Sequence, residues 1–308
     1  MSARPTTAAY PPGLRHTGDR NRRLAERLRE SRILIAPGCF DCLGARIIET
    51  SGFEAAYISG AGVSLSQLGA PDLGLVSFSE HLDRVKRIAD VLTIPVFADI
   101  DTGFGGPLSI VRTVREMERA GVSAVQIEDQ EMPKRCGHEL GRRVVSPAEM
   151  EGRIKAAADS RLDENFLIVA RTDARTMEGI EAAIERAQRY REAGADVLFV
   201  ESPESEDEMA RIAKAVPGVP LLANMVEGGR TPIMPAARLE ALGFRLAIYP
   251  NALTRRFAKV GLELMAALKA EGSTLGQMDG MLTHGQLWDL FDSRTWLALE
   301  SEFGRRNS

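Results

Sequence analysis

The sequence predicts an α/β chain and, within that class, a (β/α)₈ TIM barrel. Three observations predict it. Short apolar, β-branched runs recur eight times; longer amphipathic stretches separate them; and Ala120-Gly121, Ala193-Gly194 and Leu242-Gly243 each stand as helix stops before a run. The runs are mostly apolar throughout, which suits parallel strands buried on both faces. Eight such units fit a barrel better than a doubly wound open sheet, and no strong G-x-G-x-x-G follows the first run.

Strands are expected at 33–37, 55–59, 95–101, 124–129, 166–172, 197–201, 220–225 and 246–249. Between them, a helix should open at Ser79-Glu80-His81-Leu82, with Val85, Ile88 and Ala89 on its inner face. Gly106-Pro107 opens another, carrying Ile110, Val114 and Met117. Ser146-Pro-Ala-Glu149 reads as a capping box with proline at the first helical position. Further helices are expected at 178–193 and 204–215. Residues 1–18 read as a flexible N-terminal arm, 19–271 as the barrel, and 272–308 as a C-terminal helical extension. That extension carries Leu287, Trp288, Leu290, Phe291, Trp296 and Leu297, too apolar for a free tail. It should dock on the barrel or on another subunit.

Composition narrows the function. The chain has 308 residues, with 39 Lys and Arg against 43 Asp and Glu, a net charge of −4. That balance argues against a nucleic-acid partner and gives no reason to expect an anionic membrane surface. No run of about 18 apolar residues predicts a membrane span, and the first residues lack the apolar core of a secretory signal. Three cysteines cannot all pair within the chain, which suits a reducing cytoplasm.

In a barrel, chemistry gathers at the C-terminal ends of the strands. Those ends carry Ser59-Gly60-Ala61, Asp99-Ile-Asp101, Glu128-Asp129-Gln130, Arg171-Thr-Asp173, Glu201 and Asn224. Asp99 and Asp101 share a face if their strand is regular. With Glu128 beside them, they need a cation to offset their repulsion, and oxygen-rich ligation favours Mg²⁺ or Mn²⁺. The alternative is that these acids cap helix N-termini or pair with Arg171. Lys134-Arg135-Cys136-Gly137-His138 follows strand four and sets a thiol beside two cations, which favour the thiolate. Such a cysteine could act as acid, base or nucleophile, or sit in an inert loop. Cys39 and Cys42 have no second pair and are expected to pack at the first strand–helix turn. His16, His81 and His284 are expected at the surface or at caps. Gly103-Phe-Gly105-Gly106 could cradle phosphate, but a tight turn explains it equally well.

Together, Asp99-x-Asp101-x-Gly-x-Gly, Ile127-Glu128-Asp129-Gln130, Lys134-Arg-Cys-Gly-His138, Arg171-Thr-Asp-Ala and Asn224-Met resemble the isocitrate lyase/phosphoenolpyruvate mutase superfamily. The resemblance runs in order from residue 36 to 291. It implies a barrel that is usually a homotetramer, with its eighth helix often swapped between subunits. It implies Mg²⁺ held by Asp99, Asp101 and Glu128, often through water, with Asp72 nearby. Its substrates are small α-oxo or α-hydroxy carboxylates. Ser59, Gly60 and Ala61 match the cradle of the α-carboxylate, and Arg171 matches the arginine on the substrate. Residues 134–138 match a mobile lid that carries Arg135, Gly137 and the catalytic cysteine, here Cys136. Lys134, His138 and Glu201 are expected to hold the loop or move protons.

The Cys136 loop resembles the 2-methylisocitrate lyase, 2,3-dimethylmalate lyase, oxaloacetate hydrolase and carboxyphosphonoenolpyruvate mutase groups. Residues 224–232 look more like the hydrolase and carboxyphosphonoenolpyruvate mutase groups. Arg255 looks lyase-like and could bind an extra carboxylate, whereas Gln126 stands where lyases often have histidine. The favoured reading is a Mg²⁺-dependent carbon–carbon lyase on a methylated malate or a methylisocitrate-like acid. The alternatives are oxaloacetate hydrolysis, a phosphorus–carbon mutase and a non-catalytic binding barrel.

Overall fold

A computed structural model describes residues 11, 19–137, 139 and 141–305. The expected arm at 1–18 therefore lies, but for Pro11, outside the described residues, as does His16. The eight strands are β1 (Leu34–Cys39), β2 (Ala56–Ile58), β3 (Val96–Asp99), β4 (Ala124–Glu128), β5 (Leu167–Thr172), β6 (Val197–Val200), β7 (Leu222–Asn224) and β8 (Leu246–Tyr249). All pair in parallel, in the order β6-β5-β4-β3-β2-β1-β8-β7. A single parallel bridge, Leu198 to Leu221, joins the two ends, so the sheet is a nearly closed barrel. The short β7 leaves only that contact to complete the circle.

Side chains alternate between two cores, as period two demands. Leu34, Tyr57, Phe97, Val169, Phe199 and Leu246 fill the interior. Ile58, Ala98, Val125, Ile127 and Leu198 face outward against the helices. Helix α1 (Arg20–Arg29) belongs to the interior core: its Leu24, Ala25 and Leu28 pack with the inward-facing strand residues. It plugs the floor. Arg20 ties it there by donating to the carbonyls of Ala89 (2.9 Å) and Leu92 (3.2 Å).

The outer ring begins with α2 (Cys42–Thr50) and α3 (Gly60–Val63), the latter running on into a π turn at Ser64–Leu68. Then come α4 (Phe78–Val91), α5 (Pro107–Arg119), α6 (Pro147–Ser160), α7 (Arg175–Glu178), α8 (Ile180–Glu192), α9 (Glu206–Ala215) and α10 (Ala236–Leu242). Three expectations change. Helix α4 is capped by Ser77, not begun at Ser79: Ser77 Oγ accepts from Glu80 N, and Ser77 N donates 2.9 Å to Glu80 Oε2, a complete capping box. At α6, Ser146 Oγ accepts from Glu149 N at 3.2 Å, but Glu149 turns away to Arg153, so that box is half made. The helix expected at 178–193 starts two residues later, at Ile180, because Gly179, whose φ of +89° only glycine adopts readily, separates it from the short α7.

After β8, α11 (Ala252–Glu271) buries none of its residues. Phe257 and Leu262 stand 65% and 72% exposed, far more than a monomer's interior helix would allow. A 3₁₀ turn (Leu275–Gly280) leads to α12 (His284–Asp289) and α13 (Ser293–Arg305). This segment returns to its own barrel, where Arg46 of α2 donates to the Leu290 carbonyl and α13 buries Leu299. Cys39 ends β1 and Cys42 begins α2, both as free thiols at the first strand–helix turn.

Candidate active site

The strand ends assemble an acidic floor. Asp99 is buried at the end of β3, where Oδ1 accepts from Asp101 N (3.0 Å) and Gln126 Nε2 (3.4 Å). Gln126 is held in turn by Tyr57, whose hydroxyl donates to Oε1 at 3.2 Å. The strand is not regular beyond Asp99: Asp101 has φ of +49°, so it reaches the site from a left-handed turn and not from strand alternation. Both carboxylates crowd Gly60, where a Cβ would lie 3.0 Å from Asp99 Oδ2. Lys134 is buried among them, ion-paired with Asp72 and with Asp101 Oδ1 at 2.6 Å. His81 is buried below, against the expectation of a surface or cap role; its Nε2 lies 2.7 Å from the Asp99 carbonyl. A carbonyl only accepts, so Nε2 carries the proton.

Arg171, at the end of β5, is gripped by three carboxylates. Asp173 binds it through Nε (3.0 Å) and Nη2 (2.9 Å), Glu128 Oε2 lies 3.2 Å from Nη1, and Glu201 Oε2 lies 3.4 Å from Nη2. Its guanidinium stacks over Phe199, 5.3 Å from the ring centre. Glu201, fully buried, accepts from Asn224 Nδ2 (3.0 Å) and Ser202 N (2.8 Å). Asp129 is the buried strut behind: it accepts from Thr172 Oγ1 (2.7 Å), Tyr190 Oη (2.7 Å) and Asp173 N (2.9 Å).

The loop after β4 folds over this floor. Gln130 pins its start, accepting from Arg135 N and donating to the Arg135 carbonyl, both at 2.9 Å. Gly137 lies buried on Arg171 and Glu201, and its carbonyl accepts from Ser202 Oγ at 3.0 Å.

Burial drives the titration of these groups. It pushes Asp99 up to about 6, with the nearby Asp101 adding to the shift. It lifts Glu128 well above the carboxylate range despite Arg171. Burial opposes the charge of Lys134, yet Asp101, Glu128 and Asp72 outweigh it and raise the ammonium's pKa. Burial likewise works against Asp173, but Arg171 and Arg142 prevail and hold it below its usual value.

The residues fit a hydrated cation. Glu128 Oε1 is buried without a hydrogen-bond partner, an orphan acceptor facing an excess of negative charge. Among the described residues, no three His, Cys, Asp or Glu side chains stand close enough to ligate an ion directly.

Most of the expected residues meet here. Ser59, Ala61, Asp72, Asp99, Cys136, Gly137, Arg171, Glu201 and Asn224 line one cavity of about 50 Å³. Asp101, Glu128, Lys134 and Gly60 lie around its acidic side through the contacts above. Ser59 caps α3, and its Oγ donates to Asn251 Oδ1 at 3.1 Å. Two expectations change and one lies outside. Arg135 has an exposed side chain and contributes its backbone. Arg255, on α11, is half exposed, donates to the Glu227 carbonyl and is not among the residues that line the cavity. His138 is outside the described residues. Sequence reasoning missed Tyr57, Phe199, Val226, Ile248 and Asn251 as lining residues. Asn251 follows the last strand, so the strand-end rule carried to β8 would have found it.

A barrel with a carboxylate-rich mouth, a buried arginine and a cysteine on the covering loop has the make-up of an enzyme's active site. More particularly, a family profile described as phosphoenolpyruvate phosphomutase matches residues 24–269, and the chain belongs to that family, within the isocitrate lyase/phosphoenolpyruvate mutase superfamily. The chain is 49% identical to the 2,3-dimethylmalate lyase of Eubacterium barkeri over 268 residues, 87% of this chain and 92% of that one. It is 41% identical to the 2-methylisocitrate lyase of Halalkalibacterium halodurans over 295 residues, 96% of each. Among solved structures, an oxaloacetate acetylhydrolase bound to 3,3-difluorooxalacetate superposes with a TM-score of 0.89 at 34% identity, covering 96% of this chain and 99% of that one. A phosphonopyruvate hydrolase complexed with oxalate and Mg²⁺ gives 0.83 at 30% identity, covering 92% and 98%.

Proposed function

We propose that this enzyme is a Mg²⁺-dependent carbon–carbon lyase that cleaves a methylated 2-hydroxy dicarboxylate of the 2,3-dimethylmalate type. The observation that carries the reading is the single cavity shared by Cys136 and Arg171 above the acidic floor. Asp99, Asp101 and Glu128, with Asp72 nearby, would hold the metal largely through water; when bound, it supplies Lewis acidity at the substrate's C2 oxygen. Arg171 anchors a substrate carboxylate and stabilises the negative charge that develops on that oxygen. Glu201, which lines the cavity beside Arg171, takes the proton of the C2 hydroxyl; the C2–C3 bond then breaks as the C2 oxygen becomes the keto group, its electron pair moving to C3 and the adjoining carboxylate. Cys136 delivers a proton to C3. With 2,3-dimethylmalate the products are pyruvate and propionate. Gly137, packed on Arg171, keeps water from the carbanion.

The cavity favours two carboxylates over three. Arg171 is the one cation among its described lining residues, and Phe199, Val226 and Ile248 offer apolar wall to methyl groups. Arg255, the candidate for a third carboxylate, is not among the lining residues and is engaged by the Glu227 carbonyl. Incubation with Mg²⁺ and 2,3-dimethylmalate, 2-methylisocitrate, oxaloacetate or phosphonopyruvate, followed by NMR, tests the reading. Pyruvate with propionate from dimethylmalate is expected. Oxalate with acetate from oxaloacetate, and no lyase products, would replace it with hydrolysis.

Assembly as a homotetramer belongs to the same proposal. Its support is α11, where Phe257, Leu262 and Met265 lie exposed and a second subunit would cover them. Light scattering on Leu262→Asp should show smaller species than the parent chain. We place the enzyme in the cytoplasm, where three free cysteines stay reduced.

A further inference from the structure

Behind the covering loop, one arginine bridges the loop's returning limb to the end of β5. Arg142 donates through Nε to the Glu139 carbonyl (3.1 Å), through Nη2 to Thr176 Oγ1 (2.7 Å), and through Nη1 to Asp173 Oδ1. Glu139 N in turn donates to the Cys136 carbonyl at 3.0 Å, closing the turn that carries the thiol. Asp173 Oδ1 also accepts from Arg171 Nη2. Arg142 is itself buried, and its planar fork spans three acceptors that no single lysine ammonium could reach in the same geometry.

We propose that Arg142 is a positioning residue that latches the Cys136 turn to the end of β5 and, through the shared Asp173, leaves Arg171 free to bind an anion. The inference rests on the reading that Arg171 receives a substrate carboxylate. Two effects follow from one contact. Mechanically, Arg142 bridges the returning limb of the loop to Asp173 and Thr176, so the thiol's height above the cavity is set from β5. Electrostatically, Arg171 faces Asp173, Glu128 and Glu201, more negative charge than it carries. Arg142 offsets the charge of Asp173, so less of Arg171's own charge is spent on that carboxylate and more is left for an anionic ligand.

The experiment has two arms on the full-length protein. The first needs no ligand. Hydrogen exchange of peptides spanning residues 131–141 should accelerate roughly ten- to a hundredfold in Arg142→Gln, as expected for loss of buried charge-assisted bonds, while peptides from β1 and α4 keep their rates. Thr176→Val, which leaves the charge pair intact, should accelerate the same loop by a smaller factor. Unchanged loop exchange in both variants would overturn the latch. The second arm titrates oxalate in the presence of Mg²⁺ by calorimetry. Arg142→Gln should weaken oxalate at least about tenfold, and Arg142→Lys should recover part of that affinity but little of the loop protection, because lysine keeps the charge and loses the fork. Oxalate binding to Arg142→Gln as tight as to the parent would overturn the coupling. If the parent itself binds no oxalate, the anion-site reading fails, and the exchange arm still decides the latch.

Discussion

Gly137 offers a direct test of how closely the covering loop must seat. Its φ lies outside the left-handed region, so alanine meets no backbone penalty there. The cost is steric. An added Cβ would stand 2.7 Å from Glu201 Oε2 and closer still to Arg171 Nη2. Neither neighbour yields easily. Arg171 is held by Asp173 and Glu128, and Glu201 by Asn224 and Ser202. Overpacking of this kind costs about 1–3 kcal/mol, roughly a five- to 150-fold loss of the closed loop at about 1.4 kcal/mol per factor of ten. The loop escapes the clash by lifting, so the penalty falls on closure and not on the fold. Gly137→Ala should lower kcat/KM by about ten- to a hundredfold, with Tm within about 2 °C of the parent, since the barrel's own core is untouched. Product NMR and calorimetry read the two quantities. Normal turnover would refute the seating of Gly137 on Arg171 as a condition of catalysis. A large drop in Tm would refute the claim that the loop lifts independently.

Three further outcomes follow. Cys136→Ala should cut turnover by about 10²–10⁴, the usual worth of a positioned proton donor, while Mg²⁺-induced stabilisation stays intact; unimpaired turnover removes the thiol from the mechanism. For Asp99, burial raises the pKa to about 6 from 3.8, so the metal-free fold is favoured by its protonated form and loses that contribution as pH rises through about 6. Mg²⁺ should therefore raise Tm more at pH 7.5 than at pH 5, and an equal rise at both would count against Asp99 in the metal site. Leu24→Ala empties part of the barrel floor and should cost about 2–5 kcal/mol, with kcat near the parent's in the molecules that remain folded. A lost kcat at unchanged Tm would contradict the separation of floor from mouth.

The barrel was legible because its strands announce themselves as apolar runs and its helices as periodic ones. β8 was read to the residue, and the other strands to within a few positions. The errors have local causes. Asp101 was assigned to a strand because alternation predicts a shared face, whereas a left-handed turn delivers it. Ser77 lost to Ser79 as helix start because both are serines near one glutamate, and only the hydrogen bond to Glu80 distinguishes them. The site's acids, Arg171 and Cys136 were visible as clustered motifs at strand ends. Arg142 was not, since nothing in its local sequence separates it from the chain's many other cations. Its partners Asp173 and Thr176 come about thirty residues later, brought near by the pairing of β4 with β5. Arg255 shows the converse: a residue on the helix after β8, singled out by its resemblance to lyases, whose guanidinium donates to the carbonyl of Glu227.

The plug formed by α1 has a consequence for how the chain reaches its native state. Leu24 and Leu28 precede all eight strands in the chain, yet Leu246 and Ile248, which share their core, lie on the eighth. The socket is complete only after β8 has joined β1. Until then the apolar face of α1 has no finished seat, and its contacts are among the most distant in sequence that the fold contains. Such contacts form late. Helix α1 is thus the stopper inserted after the vessel has been closed, and chains truncated before β8 would leave its apolar face exposed.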